Sequence, residues 1–280
     1  MLLQSRTKTL DLRRRIGLVA IINATPDSYF SESRSLGTAA FLKRAEECLA
    51  QGADILEIGG ESTGPGSVDV SVEEEERRVL PCIEAFRKKH PDAWLMVDTC
   101  KAQVAGKALK LGADMINDVT AGRRDREMFS TVAQAQCPYV LMFSKDASQR
   151  TTVKPTQYPD IVDTIGTFFR QRMREAQVAG VEAEKIILDP GLGHFLSSDR
   201  RYSYEVILRL KELAGIGPLL VSPSRKSFLA GEENLPPAER LPATLAVSAI
   251  AVLQGASFIR THDVRATRRV VDRVVVLRRS

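Results

Sequence analysis

The chain has no stretch that would cross a membrane. No apolar run in its 280 residues approaches the ~20 needed to span a bilayer. The N-terminus carries Arg and Lys without the apolar centre of a secretory signal. Paired cysteines are also missing. Cys48, Cys82, Cys100 and Cys137 form no CxxC and no Cys/His spacing, which argues against a zinc site. Cys48 and Cys82 fall on apolar helix faces and read as small core residues, while Cys100 follows Asp98-Thr99 at a strand end and is open to exposure. Scattered, unpaired cysteine fits a reducing compartment, so a cytoplasmic location is expected. No linker or low-complexity segment divides the chain, and residues 1–280 read as one domain. Nor is there a strong charge imbalance. A formal net charge of +5 with both signs interspersed gives mild attraction for anions, and no nucleic-acid or membrane partner is expected. The one basic concentration, residues 265–279, is interleaved with Val270, Val271, Val274, Val275 and Val276. It reads as an amphipathic last helix with a solvated outer face.

What the sequence does contain is a repeated unit: a short apolar strand, a polar loop and a helix. The strands fall at 17–22, 54–58, 94–97, 115–116, 139–142, 186–188, 219–221 and 257–259. Helices are expected over about 38–51, from Ser71 to about 89, ending near Gly112, before strand five, over 160–179, 203–214 and 239–254, and in the basic C-terminal stretch. Ser71 with Glu74 has the spacing of a capping box. Continuous apolar strands alternating with helices indicate a parallel sheet covered on its outside. Eight units in this length fit a closed (β/α)8 barrel, a TIM barrel, better than an open doubly wound sheet.

Polar residues fall where those strands end. Asn23, Asp98, Asn117, Asp189, Lys226, Arg260 and His262 all lie just beyond an apolar run, on the face where such barrels gather their chemistry. The clearest case is Ile186-Ile187-Leu188-Asp189-Pro190-Gly191: a buried strand delivers an acid, and proline and glycine then turn the chain. A buried carboxylate needs donors. A flat heterocycle with an amino group beside a ring N–H supplies two in parallel. Asn117 both donates and accepts, so it can read a lactam-like edge. Lys226 suits a ring acceptor or a carbonyl. Arg260 and His262 suit an anion, with Asn23, Ser62 and Thr63 assisting that anion or its metal. Structural readings stand beside these: Arg225 and Arg260 as ion pairs at the barrel mouth, His194 as a loop residue, and Glu61 as a brace of the second loop.

The ordered set Asn23-x-Thr25-Pro26-Asp27-Ser28, Gly59-Gly60-Glu61-Ser62-Thr63, Val97-Asp98-Thr99, Ile116-Asn117-Asp118, Leu188-Asp189-Pro190-Gly191, Ser224-Arg225-Lys226-Ser227 and Arg260-x-His262-Asp263-Val264 resembles dihydropteroate synthase over about residues 17–270. The resemblance implies a TIM barrel that joins 6-hydroxymethyl-7,8-dihydropterin diphosphate to 4-aminobenzoate. It also implies Mg²⁺, a homodimer, and a sulfonamide target in folate biosynthesis. By position it implies that Asp98, Asn117, Asp189 and Lys226 hold the pterin, and that Asn23, Thr63, Arg260 and His262 meet the diphosphate. Asn23 would also bind the metal, and Ser62, Thr63, Phe195 and Ser227 would border the aminobenzoate. Lys226, Arg260 and His262 would form the catalytic set.

Several positions depart from the family pattern. Ser31 stands where an acid is usual, with Glu32 beside it. Gly64 replaces an arginine, and Phe143 a histidine. Gly193-His194-Phe195-Leu196-Ser197 and the Phe30-x-Glu32-Ser33-Arg34 stretch are similar to acquired sulfonamide-resistance forms, although Gly59-Gly60-Glu61-Ser62-Thr63 is retained. Two other functions are compatible with such a barrel: a non-catalytic pterin-binding paralogue and a pterin-dependent methyltransferase.

Overall fold

The computed structural model describes residues 1–23 and 34–279, leaving out the side chains of residue 23, 34–36 and 278–279. Ten strands are present: β1 (Leu2–Gln4), β2 (Thr9–Asp11), β3 (Gly17–Asn23), β4 (Ile55–Gly59), β5 (Trp94–Asp98), β6 (Met115–Asp118), β7 (Tyr139–Met142), β8 (Ile186–Asp189), β9 (Leu220–Val221) and β10 (Phe258–Thr261). Nine helices alternate with them in the described residues: α1 (Arg34–Ala50), α2 (Val72–Lys89), α3 (Ala102–Lys110), α4 (Met128–Ala135), α5 (Ile161–Val178), α6 (Arg201–Leu208), α7 (Leu210–Ala214), α8 (Leu241–Leu253) and α9 (Val264–Arg279). Strands β3 to β10 pair in parallel in the spatial order β8-β7-β6-β5-β4-β3-β10-β9. A parallel bridge between Leu188 and Leu219 joins the two ends, with the Leu188 N–H donating to Pro218 O at 2.9 Å. The expected TIM barrel is the observed fold.

The pleat sorts each strand into two faces. Inward residues Val19, Ile55, Trp94, Met96, Met115, Val140, Ile187, Leu220 and Phe258 fill the lower barrel. The alternate residues, including Leu56, Ile58, Leu95, Val97, Ile116, Tyr139 and Leu188, pack outward against Val79, Cys82, Ile83 and Phe86 of α2 and the matching faces of the other helices. Each buried Leu or Ile contributes roughly 1.5–3 kcal/mol by leaving water, which makes this outer ring the main source of stability.

Four details differ from the sequence expectations. Strands β1 and β2 form an antiparallel hairpin that was not anticipated. It is short and only its Leu3 is deeply buried, so no periodicity announces it. Leu3 and Leu12 close the lower end of the barrel against the inward residues. The helix expected over 203–214 breaks at Arg209, whose guanidinium turns to Asp160, Glu205 and Glu212. Only half of the capping box forms. Ser71 Oγ accepts the Glu74 N–H at 3.2 Å, but the Glu74 carboxylate is taken by Arg77 and Arg78. Cys100 is buried, not exposed, and its Sγ lies 2.5 Å from Gln149 Oε1. Among the described residues, no helix is long and apolar enough to cross a membrane.

Candidate active site

The inward face of the pleat carries straight into the barrel mouth. On β5 the series Trp94, Met96, Asp98 points inward. Met115 precedes Asn117 on β6, Ile187 precedes Asp189 on β8, Ile55 precedes Glu57 on β4, and Phe258 precedes Arg260 on β10. The apolar floor therefore supports a ring of polar groups one step higher. Parity also explains Asp118, the neighbour of Asn117. It faces outward and is fully satisfied, accepting from Thr120 N (2.8 Å), Thr120 Oγ1 (2.6 Å), Gly122 N (2.7 Å) and Tyr139 OH (2.8 Å).

Arg260 lies at the centre of the ring. Its Nε donates to both Glu57 oxygens at 2.8 Å, and Nη2 also meets Glu57. Nη2 lies 3.3 Å from Asp98 Oδ2 and Nη1 3.4 Å from Ser222 Oγ. Burial works against this guanidinium's charge, but Glu57 and then Asp98 outweigh it and raise its pKa further. So Arg260 is an ion-pair residue and a mouth residue at once. Glu57, 1% exposed, was not anticipated. It is an acid inside a strand instead of at its end, and only its parity with Ile55 marks it as inward. Burial, then the negative Glu57, holds the Asp98 carboxyl well above its usual range, against the pull of Arg260.

On the other side of the ring, burial raises the pKa of Asp189, with Lys226 opposing. Asp189 Oδ1 accepts the Gly191 N–H at 2.8 Å. Gly191 has φ +67°, and a Cβ there would sit 2.4 Å from Phe143 O, so only glycine allows this turn. The Lys226 ammonium has no hydrogen-bond or ion-pair partner among the described residues. It rests 5.1 Å from the centre of the Phe195 ring. Burial lowers its pKa to about 8, with Asp189 opposing and Arg260 adding to the effect. Asn117 is 1% exposed and its Oδ1 is buried with no hydrogen-bond partner among the described residues. Such an orphaned acceptor costs about 1–3 kcal/mol, and it sits in the same ring as Asp98 and Asp189.

His262 follows β10. Its backbone N–H donates to Ser224 Oγ (3.2 Å), and its Nδ1 lies 2.9 Å from the same hydroxyl. With the hydroxyl donating its own proton to Nδ1, the ring proton sits on Nε2. Burial, then Arg260, lowers the imidazole pKa to about 4, so the ring is a neutral donor. Arg225 is structural, as its alternative reading held: Nε and Nη2 grip Asp263 at 2.8 and 2.7 Å. Ser227 lies beside Gly193, its Oγ 3.4 Å from where a Cβ on that glycine would be. Phe143 is core, edge-on to Phe168 with centroids 5.1 Å apart.

Ser62 and Thr63 lie on the β4–α2 loop, exposed and half-buried respectively. Glu61 braces that loop, accepting from Lys101 Nζ (2.5 Å) and Arg150 Nη2 (2.7 Å). Asn23 ends β3 at the mouth, paired with Gly59, but its side chain lies outside the described residues, as do Ser31 and Glu32. The described residues contain no cluster of three or more His, Cys, Asp or Glu able to hold a metal ion.

Comparison with known proteins places the chain in a family. The family model described as "Pterin binding enzyme" matches residues 19–262. Dihydropteroate synthase of Synechocystis sp. is 38% identical over 260 residues, 91% of this chain and 88% of that protein. A Yersinia pestis dihydropteroate synthase solved as a sulfonamide drug complex superposes with a TM-score of 0.91 at 34% identity, covering 100% of both chains. The Xanthomonas albilineans enzyme solved with 4-aminobenzoic acid gives 0.87 at 33% identity, covering 99% of this chain and 97% of that one. Family model, full-length relatives and superposed structures agree, and the chain belongs to the pterin-binding enzymes, among the dihydropteroate synthases.

Proposed function

We infer that the barrel mouth joins 6-hydroxymethyl-7,8-dihydropterin diphosphate to 4-aminobenzoate, giving 7,8-dihydropteroate and diphosphate for folate biosynthesis, and that residues 1–280 act as one domain. The observation that carries the site assignment is the Asn117 Oδ1, buried with no partner among the described residues, in one ring with the elevated carboxyls of Asp98 and Asp189 and the Lys226 ammonium, which has none among them either. A pterin offers what each lacks. Parallel N–H donors restore the ionised form of a carboxyl, a ring N–H meets the Asn117 oxygen, and a ring acceptor meets Lys226.

In the reaction the C–O bond between the pterin methylene and the diphosphate breaks, and its electron pair leaves with the diphosphate oxygen. The aminobenzoate nitrogen then bonds to the methylene carbon and releases a proton to solvent. Arg260 and the His262 Nε2–H receive the leaving anion, with Thr63 and Asn23. Asp98, Asp189 and Glu57 place negative charge beneath the cation that develops on the ring. Phe195, Ser62, Thr63 and Ser227 border the incoming amine, and their work is positioning. Magnesium, when bound, neutralises diphosphate charge. With no cluster of three ligands among the described residues, it would take most of its ligands from diphosphate and water, as this hard ion does, with Asn23 as the protein ligand.

A homodimer is supported by α8, whose 13 residues carry no charge and leave Ile250 and Leu253 exposed, while the helices it packs on, α6 and α9, expose Leu208 and Leu277. Four unpaired, buried cysteines support a cytoplasmic location. The retained Arg260 and His262 favour catalysis over a pterin-binding bystander or a methyltransferase, neither of which needs a leaving-group site. The test is diphosphate release with Mg²⁺, with and without 4-aminobenzoate. Release coupled to dihydropteroate is expected, whereas pterin binding without release would overturn the catalytic reading. Repeating the assay with a sulfonamide competitor measures what the altered loops do to drug sensitivity; ordinary inhibition would remove the link to resistance forms.

A further inference from the structure

One side chain from another loop spans the whole β4–α2 loop. Arg150, between β7 and α5, sends Nη2 to Glu61 at the loop's start (2.7 Å), Nε to Ser67 Oγ in its turn (3.2 Å) and Nη1 to Asp69 near its end (2.6 Å). Ser67 Oγ lies 2.7 Å from Ser62 O and 2.8 Å from Gly64 O. The next residue, Thr151, donates its N–H to Thr63 O at 3.3 Å, and the Gln149 amide donates to the same Glu61 oxygen as Arg150. Beneath, Glu61 passes to Lys101 and Lys101 to Glu75 of α2. A Cβ on Gly60 would lie 2.8 Å from Val79 and 2.9 Å from Glu75 Cγ, so the chain runs flush against that helix.

We propose that Arg150 is a positioning residue: it fixes the loop bearing Ser62 and Thr63 over the barrel mouth before any substrate arrives. This rests on the reading of Ser62 and Thr63 as substrate-bordering. Three contacts at three points along one loop need the planar fork of a guanidinium, which an ammonium cannot reproduce. At 21% exposure the side chain sits on the rim, where single ion pairs add little to global stability. Its effect is therefore local order, which lowers the cost of ordering the loop when substrate binds.

The test compares wild type, R150A and R150K by hydrogen exchange without substrate and by steady-state kinetics. In R150A, exchange across residues 61–70 should rise on the order of tenfold, and KM for 4-aminobenzoate should rise by a similar factor with kcat reduced less than about threefold. R150K should fall between the two, keeping the Glu61 contact alone. Unchanged exchange in R150A overturns the proposal. So does faster exchange with an unchanged KM in an active enzyme, because the loop would then be ordered without effect. Should R150A not fold, D69A removes the Arg150 contact near the loop's end at an exposed side chain, and unchanged exchange there overturns the proposal equally. A loosened R150A loop in a wild-type background without synthase activity supports the clamp and rejects the proposed function separately.

Discussion

Replacing Lys226 by methionine should make the protein more stable and inactive. The ammonium has no hydrogen-bond or ion-pair partner among the described residues, and its pKa is lowered from the ordinary 10.5 to about 8, chiefly by burial. The difference, 10.5 − 8 = 2.5, corresponds to a cost of about 3 kcal/mol for keeping the charge in the folded state. Two effects outside that figure reduce it: water reaching the open mouth, and the Phe195 ring beside the ammonium. A net gain of about 1–2 kcal/mol remains, or roughly 2–6 °C in Tm at pH 7. The sign with pH follows from proton binding. Between pH 8 and 10.5 the unfolded chain holds the proton that the folded protein has lost, so wild-type stability rises across that window. The advantage of K226M should be complete below pH 8 and vanish by about pH 10.5. Denaturant melts of both proteins at pH 7, 9 and 10.5 measure it. A lower Tm for K226M at pH 7, or a gap that stays constant with pH, would refute the reasoning. Turnover should fall by about 10²-fold or more, as when other preorganised donors are removed.

Other substitutions separate the roles of neighbouring groups. R260M leaves Glu57 buried without its partner and should cost about 3–5 kcal/mol, while E57L/R260M should recover most of that without recovering turnover; chemical denaturation and the diphosphate assay check both. N117L removes an acceptor with no partner among the described residues and should raise stability by about 1–3 kcal/mol, yet should weaken pterin binding about tenfold or more in calorimetry. At the opposite end of the barrel, Asp114 accepts from Lys8 and Leu95 N (3.2 and 2.9 Å) and pairs with Arg87. D114A should cost about 3–5 kcal/mol and leave both KM values unchanged.

Most strands were legible because they are apolar runs stopped by a polar or charged residue or a glycine, and those stops are local. Asp98, Asn117, Asp189 and Arg260 were readable for the same reason. Glu57 was not, because nothing near it in sequence says that it meets a residue 203 positions away across the ring. Asp118 looks as functional as Asn117 until the pleat assigns them opposite faces. Arg150 carries no motif, since its three contacts depend on how two loops meet. The β1–β2 hairpin was missed because two three-residue strands carry too little pattern.

The ring of strands is not uniformly laced. Strands β3 to β8 are joined by ladders of three or more residue pairs, as is β10 to β3, whereas β9 pairs with β10 over two residues and β8 meets the residue before β9 through the single bridge Leu188–Leu219. Asp189 ends β8, and Lys226 follows β9, so these two groups stand on either bank of that seam. A ligand gripping both would act as a clasp across the most thinly laced joint of the cylinder. Substrate binding and closure of the barrel would then draw on the same free energy, and occupancy of the mouth should quiet breathing along β8 and β9 more than along any other pair of staves.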